Sequence, residues 1–348
     1  FDINKSNRNI WENFPVFNYQ IPSILILSNH NISTITYNFI IDKDSKLSII
    51  SNQIEEYIDI IKNYLPWSSQ KKMINLKSKK IFLNKKIFYE KFSLIKRYID
   101  KSEIEKAIIS NIMSYSYKGF FPIDKLLLKL KRSYPECTIF LYDYDDKGKY
   151  LGASPEKILN INNNNLKIDA LAGSTNRTNN KSDDISNSKF ILNDKKINEE
   201  HDFVVKGIIE SLNKIGIKAN PSKKNVMILK NILHLKTLIT AKIKNKDAIM
   251  NILDLLSPTP ALSGYPKDKS MNIINDIEDY DRGWYSGSIG WINNNLDCDF
   301  FAGLRSMFID KNKLYIYGGA GIIKDSDKDE EWKEILYKIN TIEELVNE

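Results

Sequence analysis

The chain has 348 residues, 42% hydrophobic and 27% charged, with a formal net charge of +7 from 51 basic and 44 acidic residues scattered along it. That length supports one large domain or two ordinary ones. No apolar run approaches the roughly 20 residues of a membrane span, and no basic block carries the interleaved aromatics of a nucleic-acid surface, so neither a membrane nor a nucleic acid is expected as partner. Cys137 and Cys298 lie in apolar, strand-like stretches and read as reduced core residues of a cytoplasmic protein. The chain opens on Phe1, so a few residues are expected to precede it, and nothing in it resembles a targeting segment.

Residues 22–41 are rich in Ile and Thr and predict two strands, and the three- and four-residue apolar spacing of 49–64 predicts a helix. A helix over about 87–101 is followed, after Lys106, by a short apolar strand, AIIS. Residues 123–133 read as a helix, TIFLYDY (138–144) as a strand, and a hairpin flanks the turn at Asn162–Asn165. The longest helix is expected over 188–213, with Glu200 and His201 at its centre. Strands return at 225–243, and helices follow at about 247–256 and 268–279. Three strands are expected from 286 to 323 and a last helix over 329–346. Strand runs punctuated by helices, without βα alternation, predict an α+β protein of antiparallel sheets with helices outside. No linker or repeat divides the chain, so one domain over 1–348 is expected.

Glycine is scarce, at 14 residues, yet eight fall between Gly264 and Gly321: those two with Gly283, Gly287, Gly290, Gly303, Gly318 and Gly319. Glycine is used where backbone must turn or lie close against another group. The cluster is threaded with Arg282, Tyr285 and Arg305 and followed by Glu331, Glu334 and Lys338, which suggests amides and charges around a small anion. On the last helix Glu331, Glu334 and Lys338 share one face. They form either a solvated face with a Glu334–Lys338 pair worth about 0.2–0.5 kcal/mol, or carboxylates held apart by a hard cation such as Mg²⁺. Glu200–His201 lacks the second histidine of an HExxH zinc site, leaving Glu200 either exposed or a third oxygen ligand. Glu156, in LGASPEKIL (151–159), is either an exposed turn residue or a buried acid with a raised pKa. Lys106 is either a snorkelling edge lysine or an inward-pointing base.

Together these segments resemble a known set. GASPE (152–156), ALAGS (170–174), EHDFVV (200–205), LHLKT (233–237), LSPTPALSGYP (256–266), RGWYSGSIGW (282–291), AGLRS (302–306), YGGAGII (317–323) and EEWKE with Lys338 closely resemble the chorismate-binding enzyme family, in the family's order and over about residues 98–346. Residues 1–97 correspond to its variable N-terminal part. The resemblance implies two antiparallel sheets sandwiched together with helices outside and a Mg²⁺-dependent site between them. It implies Glu200, Glu331 and Glu334 as metal ligands. Ser174, His234, Ala261, Leu262, Tyr285, Arg305, Lys338 and the backbone at Gly318, Gly319 and Gly321 would form the substrate site.

Within the family, Lys106 matches the lysine of members that use water, where ammonia-using members resemble one another in having glutamine, and Glu156 matches the general acid. Ala261 in PTPA is similar to isochorismate synthases; salicylate synthases carry threonine there. The resemblance therefore implies a Mg²⁺-dependent isochorismate synthase acting on chorismate. Salicylate synthase is the next reading, then an ammonia-using synthase component, then a non-catalytic chorismate-binding protein. No amidotransferase subunit is expected, and a monomer or weak homodimer is. Two departures stand out: Asn111 replaces the arginine that usually closes the lysine strand, and Ile197 stands where some relatives have a further glutamate.

Overall fold

Apolar segments of alternating or continuous pattern form antiparallel ladders here, and segments of helical period pack on them. The computed structural model describes residues 10–29, 32–41, 43, 46–63, 76–119, 121–178, 180–245 and 248–347. They fall into two compact units, Pro15–Lys72 and Phe1–Phe14 with Met73–Glu348. In the smaller unit, β1 (Ile24–Asn29) and β2 (Ile32–Tyr37) form the expected antiparallel hairpin. Helix α1 (Leu47–Lys62) follows, its Tyr57 ring stacked at 6.0 Å on Tyr37. Residue 64 of the expected helix lies outside the described residues.

The larger unit holds two seven-stranded antiparallel sheets. The first runs β12 (Gly264–Tyr265), β4 (Lys106–Ser116), β16 (Lys313–Ile322), β15 (Ser306–Asp310), β6 (Lys149–Ser154) and β5 (Thr138–Asp143), with β3 (Lys77–Ile81) also on β4. The second runs β10 (Asn225–Ile228), β11 (Ile232–Lys242), β8 (Asn165–Asn176), β7 (Lys157–Asn162), β14 (Cys298–Ala302) and β13 (Ser288–Ile292), with β9 (Asn220–Pro221) on β11. Helices α2 (Lys85–Asp100), α3 (Ile123–Ser133), α7 (Lys267–Ile277) and α8 (Lys328–Asn347) pack on the first sheet. Helices α4 (Lys181–Asn193), α5 (Lys195–Lys214) and α6 (Ile249–Leu256) pack on the second. This is the expected α+β class. Among the described residues no helix is long and apolar enough to cross a membrane.

The chain changes sheet four times, and the two crossovers that no helix interrupts are neighbours. One is Pro155–Glu156, between β6 and β7; the other is Gly303–Arg305, between β14 and β15. Backbone bonds tie them together: Ala302 N donates to Glu156 O at 3.0 Å and Ala153 N to Arg305 O at 3.2 Å. Leu304, between them, packs on the hydrophobic cores of both sheets.

The structure divides into two compact units, and residues 10–14 and 76–97 of the N-terminal part belong with the larger one. Trp11 is fully buried in the larger unit's core, stacked on Phe308 at 4.2 Å and edge-on to Tyr150 at 5.4 Å. The α2 helix, capped by Asn84 accepting from Ile87 N, buries Phe88, Phe92 and Ile95 in the same core. Some expected elements need correction. The expected helix over 188–213 is two, because Asp194 is extended (ψ 126°) and its side chain accepts from Ile197 N to cap a new helix. Four strands, not three, occupy 286–323. The hairpin at Asn162–Asn165 stands as expected, Asn163 and Asn164 both adopting positive φ. The lysine-rich edge strand β3 carried no apolar signal from which to foresee it.

Candidate active site

Lys106 begins β4, which is paired on one side with β12 and on the other with β16, so it is no edge residue. Its side chain is fully buried and points inward, its Nζ 3.0 Å from Glu200 Oε1 of α5. Gly321 makes that meeting possible: a Cβ there would lie 2.4 Å from Glu200 Oε1 and 2.8 Å from Lys106 Cε. Gly319 has the same parity on β16, and its carbonyl accepts from Lys338 Nζ at 2.8 Å. Gly318 has the opposite parity, and a Cβ there would lie 2.8 Å from Ile339 Cγ1 and 2.9 Å from Ile335 O of α8.

Glu156 occupies the first sheet crossover and is also buried. Burial pushes its carboxyl up to about 7, against the opposing effects of a hydrogen bond from Thr259 Oγ1 (2.7 Å) and the Lys106 charge. Asp169 of β8 pushes it the same way as burial, and is itself paired with Lys236 of β11 at 2.8 Å.

Arg305 occupies the second crossover with positive φ (45°), and its Nη2 lies 2.9 Å from His234 Nε2 on β11. Guanidinium only donates, so His234 accepts at Nε2 and carries its hydrogen on Nδ1. Burial, with the Arg305 and Lys338 charges adding to it, holds this histidine well below the usual range and therefore neutral. His201 is neutral for the same main reason. Buried between Ala172 O and Thr237 Oγ1, it is pushed down to about 4 mainly by burial, a fixed part of the α5 packing.

The α8 helix starts at Asp327, whose Oδ1 accepts from Asp329 N and Glu330 N. That start sets the face on which Glu331, Glu334 and Lys338 stand. Each of the three expected metal carboxylates is joined to a lysine: Glu200 to Lys106, Glu331 to Lys196 at 2.9 Å, and Glu334 to Lys338 at 2.7 Å. Burial, and after it Glu334, pushes Glu331 up to about 7. Burial also acts upward on Glu334, but the Lys338 ammonium and the hydrogen bonds from Lys338 and Ser174 (3.1 Å) hold it below the usual range. The intrahelical Glu334–Lys338 pair of the first reading is present, on a face that is partly buried rather than solvated.

As they stand, no three His, Cys, Asp or Glu side chains among the described residues converge closely enough to chelate a metal. The donor chemistry still suits a hard divalent cation: three carboxylates close enough to repel one another, each paired with a lysine ammonium.

Tyr285 is buried and stacked on Tyr317 at 5.0 Å, its hydroxyl beside Gly319. Ala261 and Leu262 pack into the second sheet's core. Asn111 points to the other side of β4 from Lys106 and exchanges two 2.9 Å hydrogen bonds with the backbone of Leu83, ahead of α2. Ile197 lies over Gly173, where a Cβ would meet it at 2.6 Å. Thr259 and Lys196 were missed. Thr259 lies inside a quoted motif, a polar residue amid prolines, whereas nothing marked Lys196 among so many lysines.

A family model for chorismate binding enzymes matches residues 1–347. The isochorismate synthase MenF of Haemophilus influenzae is 30% identical over 240 residues, 69% of this chain and 56% of that protein. Anthranilate synthase component 1 of Saccharolobus solfataricus is 27% identical over 267 residues, 76% of this chain and 63% of its own. The chain thus spans little more than half the length of these relatives. The solved structure of MenF, described as the menaquinone-specific isochorismate synthase from Escherichia coli, superposes with a TM-score of 0.79 at 23% identity, covering 90% of this chain and 71% of the other.

Proposed function

Because the chain belongs to the chorismate-binding enzyme family, we propose that it is an isochorismate synthase, converting chorismate to isochorismate in the presence of Mg²⁺. The observation that carries this is the pair of buried groups, Lys106 and a Glu156 whose carboxyl is pushed up to about 7. The substitution needs a base and an acid together. Lys106, in its amine form rather than as the ammonium paired with Glu200 here, takes a proton from the water that adds at C2. Glu156 gives its proton to the C4 hydroxyl, which leaves as water, so one water enters and one departs. Arg305, Lys338 and Tyr285 would bind the substrate's carboxylates, Arg305 through its planar fork. Mg²⁺ bound by Glu200, Glu331 and Glu334 would neutralise and hold a substrate carboxylate.

The anthranilate synthase relative keeps a second reading open, an ammonia-using synthase component; Lys106 stands against it. The test is incubation with chorismate and Mg²⁺, with products separated by chromatography and identified by mass. A new product of unchanged mass supports isochorismate formation. Salicylate with pyruvate, anthranilate formed from ammonium, or no conversion would overturn it.

A further inference from the structure

Thr259 lies in the loop between α6 and β12, and that loop is tightly held. Leu262 N and Ser263 N donate to the Thr259 carbonyl at 2.8 and 2.9 Å, and Ser263 Oγ donates to it at 2.8 Å. The loop is tied to β4 by Arg282, which donates to Leu262 O at 2.9 Å and to Ile108 O at 2.8 Å. The guanidinium is fixed in turn by two 2.7 Å bonds to Glu278. The Thr259 hydroxyl is therefore positioned against the strand that carries Lys106. From there it donates to Glu156 Oε1 at 2.7 Å, and both side chains are buried.

We propose that Thr259 is a positioning residue that decides which oxygen of Glu156 carries the transferable proton. By donating to Oε1 it makes that oxygen an acceptor, so the protonated carboxyl keeps its hydrogen on Oε2. The proton on Oε2 passes to the departing hydroxyl, which leaves as water. The Thr259 bond then remains on the carboxylate and stabilises it. This rests on Glu156 being the general acid. The groups acting on Glu156 are few: Lys106 from β4 and Thr259 favour its charged form, and Asp169 from β8 opposes it. Removing the hydroxyl therefore moves Glu156 upward, while Lys106 and Asp169 stay in place.

The experiment measures kcat and KM for chorismate with Mg²⁺ across pH for Thr259→Val, Thr259→Ser and Glu156→Gln. Thr259→Val is expected to lower kcat about 10- to 100-fold, the worth of one hydrogen bond to a charged group, with KM nearly unchanged. The alkaline limb of kcat, where the acid loses its proton, should move to higher pH, and Thr259→Ser should restore both rate and limb. Should the valine variant fail to fold, Thr259→Ala removes the same donor and is read the same way. Variants without the hydroxyl that keep the wild-type limb overturn the proposal, and so does a serine variant as impaired as valine. If Glu156→Gln is inactive in those cases, the general acid stands without Thr259; if Glu156→Gln keeps its turnover, the assignment of the acid itself has failed.

Discussion

At the scale of single residues, the site is governed by the cost of burying charge. Glu200, Glu331 and Glu334 would repel one another in a low-dielectric setting, and each has an ammonium partner instead. Glu156 lies near Lys106 but forms its close bond with a neutral hydroxyl, so burial prevails and its carboxyl titrates near 7 instead of near 4.5. Lys106→Ala and Glu156→Gln should each lower turnover of chorismate by roughly 10²–10⁴-fold, the usual worth of a positioned proton transfer; steady-state assays of either variant at wild-type rate would remove it from the chemistry. The same carboxyl affects stability. Its folded pKa is raised, so the native state holds the proton more tightly, and its contribution is full below about 4.5 and lost as pH rises through about 7. Glu331 acts in the same direction, and the buried neutral His201 and His234 in the opposite one, so the check is a difference: wild type should lose melting temperature relative to Glu156→Gln as pH rises across that window.

At the scale of elements, short polar signals decide where helices begin and hence which side chains face the site. Asp194 ends α4 and caps α5, which sets the turn carrying Lys196 and, one turn on, Glu200. Asp194→Ala should cost about 1 kcal/mol, read as a lower urea midpoint, and should weaken the Lys196–Glu331 pair. Trp11 shows the same dependence in the core. It fills a space bounded by Phe14, Tyr150 and Phe308. Trp11→Ala should cost about 3–5 kcal/mol, as expected for a residue belonging to the larger unit; a loss within experimental error would detach it from that core.

At the scale of the whole molecule, two sheets with separate cores meet at a double crossover, and Glu156 and Arg305 stand one on each crossing. There the backbone leaves one ladder before joining the next, and side chains can face across the join. Function under the proposed reading makes global demands. Turnover should vanish in EDTA and return with Mg²⁺. Mg²⁺ alone should raise the melting temperature of the wild type but not of Glu331→Gln, since the ion must take the place of lysines already paired there. Full activity in EDTA would remove the metal. With ammonium salts in place of a glutamine amidotransferase, no amino-substituted product should form.

The sequence by itself determined the α+β class, most element positions and the residues of the Lys106, Glu156, Arg305 and α8 segments, because periodicity, turn residues and motif spacing are local properties. Only the tertiary structure decided that Lys106 points inward, that a Cβ at Gly318 would meet α8 while one at Gly321 would meet Glu200 and Lys106, and that residues 10–14 and 76–97 belong to the larger unit. The partners of the site are far apart along the chain: Thr259 is 103 residues from Glu156, and His234 is 71 from Arg305. Such pairs form only when the sheets close on each other, and local propensity carries no information about which distant groups burial will force together.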